Sequence, residues 1–250
     1  MRRTLRTLQI AGATVAIVLA TACDKDSTPV KTTSTGETNV SPPADSAASR
    51  GRSLVRVVNA VDGGQDVTVA LGDSTLFADV KVASVTDYRE IDANLARFSV
   101  RGPGLPNGAS VAKNDELLMD GNRYTIILIA EDMATNTLRV LKDDVTADSG
   151  KARIRVLHAA PGAPALDVKV AGAGENLFSD VSFKGEAGYS DLTPAKVTLE
   201  LRATGEQEVL LRIPGVDLKG GTATTIVVTG SKTLRSFRFV DTPMAPTPKP

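Results

Sequence analysis

The sequence predicts an all-β protein: two tandem β-sandwiches of immunoglobulin-like or transthyretin-like type, with a small barrel as the alternative. Three observations carry this. Short apolar segments alternate with a period of two, and a helical period is nowhere sustained. Glycine and proline punctuate the chain at turn-like intervals, as at Gly63-Gly64, Gly102-Pro103-Gly104, Pro106-Asn107-Gly108, Pro161-Gly162 and Gly220-Gly221. From Ser53 onward, the chain repeats itself once with a spacing near 100 residues.

The N-terminus reads as an export signal. Arg2, Arg3 and Arg6 are its basic part, Leu8 to Ala20 its apolar part, and Ala20-Thr21-Ala22-Cys23 a small-residue cleavage site ending in the sole cysteine of the chain. A bilayer span needs about 18 apolar residues. This run is interrupted by Gln9, Gly12 and Thr14, so it serves as a signal and not as an anchor. The pattern predicts a bacterial lipoprotein signal over residues 1–22 and acylation of Cys23. Leu19 stands four residues before the cysteine, one farther than is usual for such signals, and plain secretion is the alternative. Arg2-Arg3-Thr4-Leu5 also faintly resembles a twin-arginine signal.

Cleavage before Cys23 leaves 26 basic and 29 acidic residues, a net charge near −3. That balance leaves no footprint for nucleic acid. No basic amphipathic stretch suits anionic lipid either, so the predicted membrane partner is reached through the lipid on Cys23. With no second cysteine there is no disulfide, and stability must come from apolar burial. Aromatics are 4% of the chain and Trp is absent, so the cores are expected to be built from Val, Ile, Leu and Ala.

Residues 23–52 form a tether rich in Ser, Thr, Pro, Ala, Asp and Lys, without apolar periodicity. As a random coil, its 29 residues after Cys23 span about 30 Å, enough to lift a domain clear of lipid headgroups. Residues 242–250, ending Pro243-Met-Ala-Pro246-Thr-Pro248-Lys-Pro250, read as an extended proline-rich tail.

Between tether and tail lie the predicted repeats, 53–144 and 151–241. Leu54-Val-Arg56-Val-Val-Asn59-Ala60 answers Arg153-Ile-Arg155-Val-Leu-His158-Ala159. Leu76-Phe77-Ala-Asp79-Val80 answers Leu177-Phe178-Ser-Asp180-Val181, and Tyr88 with Ile91 answers Tyr189 with Leu192. Val197, Leu199 and Leu201 alternate with Thr198, Glu200 and Arg202, which puts one face in a core and one in water. Val67, Val69 and Leu71, then Ala96, Phe98 and Val100, behave alike. Ile126 to Ala130 and Ile226 to Val228 are continuously apolar and rich in β-branching, as a strand covered on both faces should be. About seven short strands are expected in each repeat.

The segment Ala152-Arg-Ile-Arg155-Val-Leu-His158-Ala-Ala-Pro161-Gly-Ala-Pro164-Ala-Leu-Asp167-Val168, followed by Tyr189-Ser-Asp-Leu192-Thr-Pro194-Ala195, resembles the bacterial family called domain of unknown function 4397. The second repeat carries the resemblance well. The first carries it in outline, with Asn59 in the place of His158 and Asp62-Gly63-Gly64 in that of the proline-bearing turn. The resemblance implies a secreted or envelope-anchored β-rich module, often duplicated, with no established activity.

Chemistry-bearing residues are few. His158 is the sole histidine, and alternation places it on one face with Ile154 and Val156, where a hydrogen bond to the neighbouring turn accounts for it. Gly188-Tyr-Ser190-Asp-Leu192 lacks the final glycine and the strand-to-helix elbow of a serine nucleophile. Zinc wants three or four His, Cys or carboxylate ligands and finds one histidine. Asp62, Asp66, Asp143, Asp144 and Asp148 supply oxygens for calcium, but none lies in a spaced D-x-D-x-D-G register. Gly102-Pro-Gly104-Leu-Pro-Asn107 lacks the lysine and helix of a phosphate loop. Paired glycosidase carboxylates are disfavoured by the absence of Trp for sugar stacking. Candidates for ligand contact are therefore His158, Asp167 and Tyr189, with no cofactor, no metal and no catalytic residue expected. Tyr88 and Tyr189 are read as buried anchors of the repeat. The expected function is a non-catalytic binding or structural module, lipid-anchored in the cell envelope, with a protein or polysaccharide partner. A periplasmic lipoprotein that binds calcium or a small molecule at the domain junction is the alternative, and a hydrolase a distant third.

Overall fold

The computed structural model describes residues 51–102, 111–131, 135–146 and 148–243. The signal segment, Cys23, nearly all of the tether, the turn at 103–110 and the tail from 244 lie outside the described residues. Within them every regular element is a β-strand. The first half contains β1 (Arg52–Asn59), β2 (Val67–Leu71), β3 (Ser74–Val80), β4 (Ser84–Val85), β5 (Arg89–Asp92), β6 (Leu95–Arg101), β7 (Ala112–Leu117), β8 (Arg123–Ala130) and β9 (Asn136–Asp143). The second contains β10 (Ala152–His158), β11 (Leu166–Val170), β12 (Phe178–Val181), β13 (Glu186–Leu192), β14 (Ala195–Ala203), β15 (Val209–Leu218), β16 (Ala223–Thr229) and β17 (Arg235–Asp241).

Each half is a two-sheet sandwich, and the same order of strands recurs in both. In the first, one sheet runs β4-β1-β8-β9, with β5 also on β1, and the other runs β3-β2-β6-β7. In the second, the sheets run β13-β10-β16-β17 and β12-β11-β14-β15. The sandwich expectation holds, but the strand order is not that of an immunoglobulin domain, where the first strand lies beside the second. Here β1 lies between β4/β5 and β8, and it runs parallel to β8, with Leu54 opposite Arg123 and Asn59 opposite Leu128. β10 likewise runs parallel to β16. The strand count exceeds the expected seven partly because the segment antiparallel to β1 is broken at Thr86–Tyr88 into β4 and β5.

The sequence pattern explains the layering. β8 is buried from Tyr124 through Ala130, and β16 along its whole length, because both faces of these strands are covered. One face of β1 and β8, through Val55, Val57, Ile126 and Leu128, packs with Val69, Phe77, Phe98 and Val100 to make the core of the first sandwich. Ile154, Val156, Ile226 and Val228 pack with Leu166, Val168, Leu199 and Leu201 in the second. The opposite faces meet each other. Val58, Ile127, Ile129 and Leu141 from the first half close on Leu157, Ala159, Val227 and Phe239 from the second. The β1/β8 and β10/β16 sheets are thus inner layers of one compact unit.

Parallel pairing gives that unit two distinct ends. Gly51, where the tether enters, accepts the Ala93 N–H at 3.1 Å, and Arg52 lies opposite Asp92. Arg123 begins β8 at that end and donates to the Thr242 carbonyl at 3.2 Å, just past the last strand. Arg153, at the start of β10, donates to the Thr146 carbonyl at 2.8 Å in the connection between the halves. The first described residues, the connection and the last described residues therefore share one end. At the other, Asp62 meets Arg235 at 3.3 Å and Glu131 meets Lys184 at 2.8 Å, so the turns following β1, β8, β12 and β16 cluster there.

Candidate functional site

Two arginines stand inside apolar runs, Val55-Arg56-Val57 and Ile154-Arg155-Val156. Alternation turns both away from their own sandwich core and toward the other half, where water is excluded: Arg56 is 3% exposed and Arg155 0%. A guanidinium so placed needs paired charge and hydrogen-bond acceptors. Each finds them across the boundary. Arg56 forms a two-pronged bond to Asp241 at the end of β17, Nη1 to Oδ1 at 2.6 Å and Nη2 to Oδ2 at 2.8 Å. Arg155 reaches Asp143 at the end of β9 through Nη2. The two crossed pairs are equivalent in position and join the halves reciprocally.

Further groups complete the cluster. Arg56 Nε donates to Thr125 Oγ1 at 2.9 Å, and Arg155 Nε donates to Thr225 Oγ1 at 3.0 Å. Thr125 donates onward to Asp143 at 2.7 Å, as does the Tyr88 hydroxyl at 2.7 Å. The Arg56 guanidinium lies 4.4 Å from the Tyr88 ring centre and 4.3 Å from that of Phe239, while Arg155 lies 4.8 Å from that of Tyr189. Burial would lower the Arg56 pKa, but the Asp241 hydrogen bond and the charge of Asp143 outweigh it, so the group stays charged above its ordinary value. Burial, reinforced by Asp143, pushes the Tyr88 hydroxyl far above its usual range, and burial does the same to Tyr189. With two cations against two anions and the hydroxyls held neutral, this cluster is an electrostatic clasp. It offers no accessible acid, base or nucleophile.

The residues singled out from sequence are not brought together. His158, 1% exposed, faces the second sandwich core; Nε2 bonds to the Pro164 carbonyl at 3.0 Å, and Nδ1 accepts the Ala160 N–H at 3.3 Å. Burial lowers its pKa, and the bond to Pro164 only partly offsets this. Asn59 performs the same task in the first half, donating to the Gln65 carbonyl at 3.1 Å and accepting the Val61 N–H at 3.3 Å. Asp167 lies on the outer side of β11, accepting the Asp180 N–H at 2.9 Å and the Gly205 N–H at 3.2 Å; the former does most to hold its carboxyl below the usual range. Tyr189 lies on the other face of the inner sheet, beneath Arg155, with its hydroxyl buried and without a hydrogen bond.

Other candidates have equally local partners. Ser190 is a strand residue opposite Ile154. Asp62 pairs with Arg235, Asp66 with Lys81, Asp144 with Arg153, and Asp148 accepts the Gly150 N–H. Among the described residues no group of three or more His, Cys, Asp or Glu side chains converges on a metal position.

One cavity does open at the turn end of the first sandwich, with a volume of about 540 Å³. Val61, Val67, Val111, Leu128 and Ala130 form its apolar part, and Asp62, Gln65, Asn136 and Ser231 its polar part. The corresponding place in the second sandwich is filled differently. The turn there has the same length and carries Ala160, 0% exposed, where the first has the half-buried Val61, and Pro164 where the first has Gln65.

The chain can now be set beside known proteins. Residues 53–169 match the family model DUF4397, a domain of unknown function. Over those residues, a little under half of the chain, the protein is similar to that family. The match takes in the whole first sandwich, β10 and β11 up to Lys169, and so includes the Ala152–Val168 segment on which the resemblance was read while beginning a full sandwich earlier. Arg56, Asp143 and Arg155 lie inside the DUF4397 match, and Asp241 beyond it. No curated protein matches the chain.

Sequence reasoning missed the clasp. Asp143 was weighed as a calcium ligand, and neither arginine was singled out. The signal was present in the aligned segments, where an arginine interrupts the same apolar run at the same offset twice. A charge at the centre of a strand covered on both faces must have a buried counter-charge.

Proposed function

We propose that this chain is a cell-envelope lipoprotein, anchored through Cys23, whose paired sandwiches act as a rigid, non-catalytic module that binds a protein or polysaccharide partner. The observation that carries the reading is the polarity of the fold. The first described residues, the inter-half connection and the last described residues gather at one end, so a chain anchored through its N-terminus presents the opposite, turn-bearing end outward. The clasp supports rigidity, because separating the halves would break both ion pairs that cross the boundary. The occupied hydrogen bonds of His158 and Asp167, and the place of Ser190 in a paired strand, support a non-catalytic role. We further infer that the halves are copies of one domain, supported by their common strand order and equivalent clasp residues.

The test is fractionation of native cells. Cys23→Ser is expected to move an intact, folded protein from the membrane to the soluble fraction; a variant that remains with the membrane overturns the anchoring.

The cavity beneath Gly63-Gly64 favours a second reading, a small-molecule lipoprotein. A melting temperature that rises with a small neutral solute, but not with calcium, would support it, and loss of that rise in Gln65→Leu would locate the site.

A further inference from the structure

The tether enters beside an uncovered apolar patch. Leu95 and Leu117 are directly opposed on β6 and β7, 67% and 60% exposed, and Met119 follows at 55%. Alternation places all three on the outward side, since Ala96 and Leu118 between them are buried. The patch adjoins the point where the chain from Cys23 arrives: the Ala93 N–H bonds to the Gly51 carbonyl, Ser53 Oγ to the Met119 carbonyl at 2.8 Å, and the Arg52 N–H to Asp120 at 2.8 Å.

We propose that Leu95, Leu117 and Met119 form a lipid-contact corner that seats the first sandwich on the zwitterionic surface of the membrane holding Cys23. The inference rests on the anchored reading above. Three apolar side chains bind a bilayer weakly by themselves, but a tether of about 30 Å holds them at high effective concentration at the surface, where weak contact suffices. Apolar insertion, and not charge, is the mode of contact. Asp92 and Asp120 flank the patch, Arg52 is paired with Glu90 and Asp92, and Arg97 with Asp115, so no free basic cluster faces anionic headgroups there. Seating this corner also reinforces the outward direction of the turn end that attachment through Cys23 gives.

The absence of Trp makes a clean experiment possible. Leu117→Trp, Met119→Trp and, at the turn end, Lys232→Trp are prepared singly in the chain from Cys23 onward and coupled through the Cys23 thiol to a maleimide lipid in phosphatidylcholine vesicles. Chemical coupling makes the result independent of whether cells acylate Cys23, so failure here and failure of the anchored reading are distinguishable. The reporters at 117 and 119 are expected to shift to shorter wavelength and to lose most of their emission to bromine-bearing acyl chains, while the reporter at 232 does neither. Equal, unshifted and unquenched emission at all three positions overturns the proposal. So does a concentration-dependent blue shift at 117 and 119 without lipid, which would assign the patch to a second copy of this chain. Two patch reporters guard against one substitution disturbing the fold.

Discussion

At the end of β10, His158 is locked between the Ala160 amide and the Pro164 carbonyl; at the end of β1, Asn59 makes the same two bonds to Val61 and Gln65. The first turn carries Pro161 and Pro164, and the second carries two glycines and an exposed glutamine that line a cavity. One backbone plan has thus been closed in two ways. Residues held by the plan on both sides are the clasp and the turn bond, whereas residues free to differ lie at the outward end. This contrast places the variable part of the plan at the turn end and its shared part in the inner layers.

The largest effect should come from the clasp. Asp143 receives Arg155, Thr125 and Tyr88 and lies 3.5 Å from Arg56, while Asp241 is held by the Arg56 fork. Asp143→Ala leaves Arg155 buried without its counter-charge and is expected to cost about 3–5 kcal/mol. Asp241→Ala should cost less, because Arg56 keeps Asp143 nearby. Urea denaturation of both variants measures the order, and no loss in either would mean that the halves are held by their apolar contact alone. Conversely, replacing Arg155 and Asp143 together by apolar residues should recover much of the loss.

How far these features could be read from sequence follows the same division. Period-two alternation and the covered runs Ile126–Ala130 and Ile226–Val228 marked strands and layers, because burial on one or both faces is a local pattern. The parallel pairing of β1 with β8 was not legible, since register between strands some 70 residues apart depends on the sheet as a whole. His158 could be read as a turn-holding residue from its alternation partners alone. The clasp was hidden for a different reason: Arg56 and Asp241 are separated by 185 positions, and nothing in either neighbourhood names the other.

The next effect tests whether the two turn bonds are equivalent. His158→Ala removes two buried hydrogen bonds and leaves a void, with an expected cost of about 2 kcal/mol, whereas His158→Asn imports the first half's solution and should cost less. The pH dependence separates them further. Because the folded-state pKa of His158 lies below its ordinary value of 6.5, the unfolded chain binds the proton more readily. Its contribution to stability is complete above pH 6.5, declines as pH falls below that value, and levels off once the depressed folded pKa is passed. Denaturation midpoints across this window should fall for the native protein and stay flatter for His158→Asn. Identical profiles would show that the ring is not desolvated.

A smaller effect of opposite sign is expected at the cavity. Gln65→Leu puts an aliphatic side chain on the wall of the cavity, where the native residue is exposed. If the side chain turns inward to meet Val61, Val67 and Leu128, stability should rise by about 1 kcal/mol, near the lower end of the range for burying an aliphatic side chain. An unchanged melting temperature would mean that the turn backbone holds position 65 outward, and that side-chain choice there does not keep the cavity open.

The smallest effect lies on the outer sheet. Arg97 and Asp115 face each other across β6 and β7 at 3.0 Å, in plain view of solvent. Their hydrogen bond is the first reason the Asp115 carboxyl lies below its usual range and Arg97 above its own. Water screens both groups, and ordering two side chains offsets the attraction. Arg97→Ala should therefore leave the denaturation midpoint where it was, at low salt and high, although removing one partner of the same type of charge pair in the clasp is costly. A measurable loss at Arg97 would remove burial as the explanation for the difference, and would require the outer sheet of the first sandwich to be covered by something that excludes water from it.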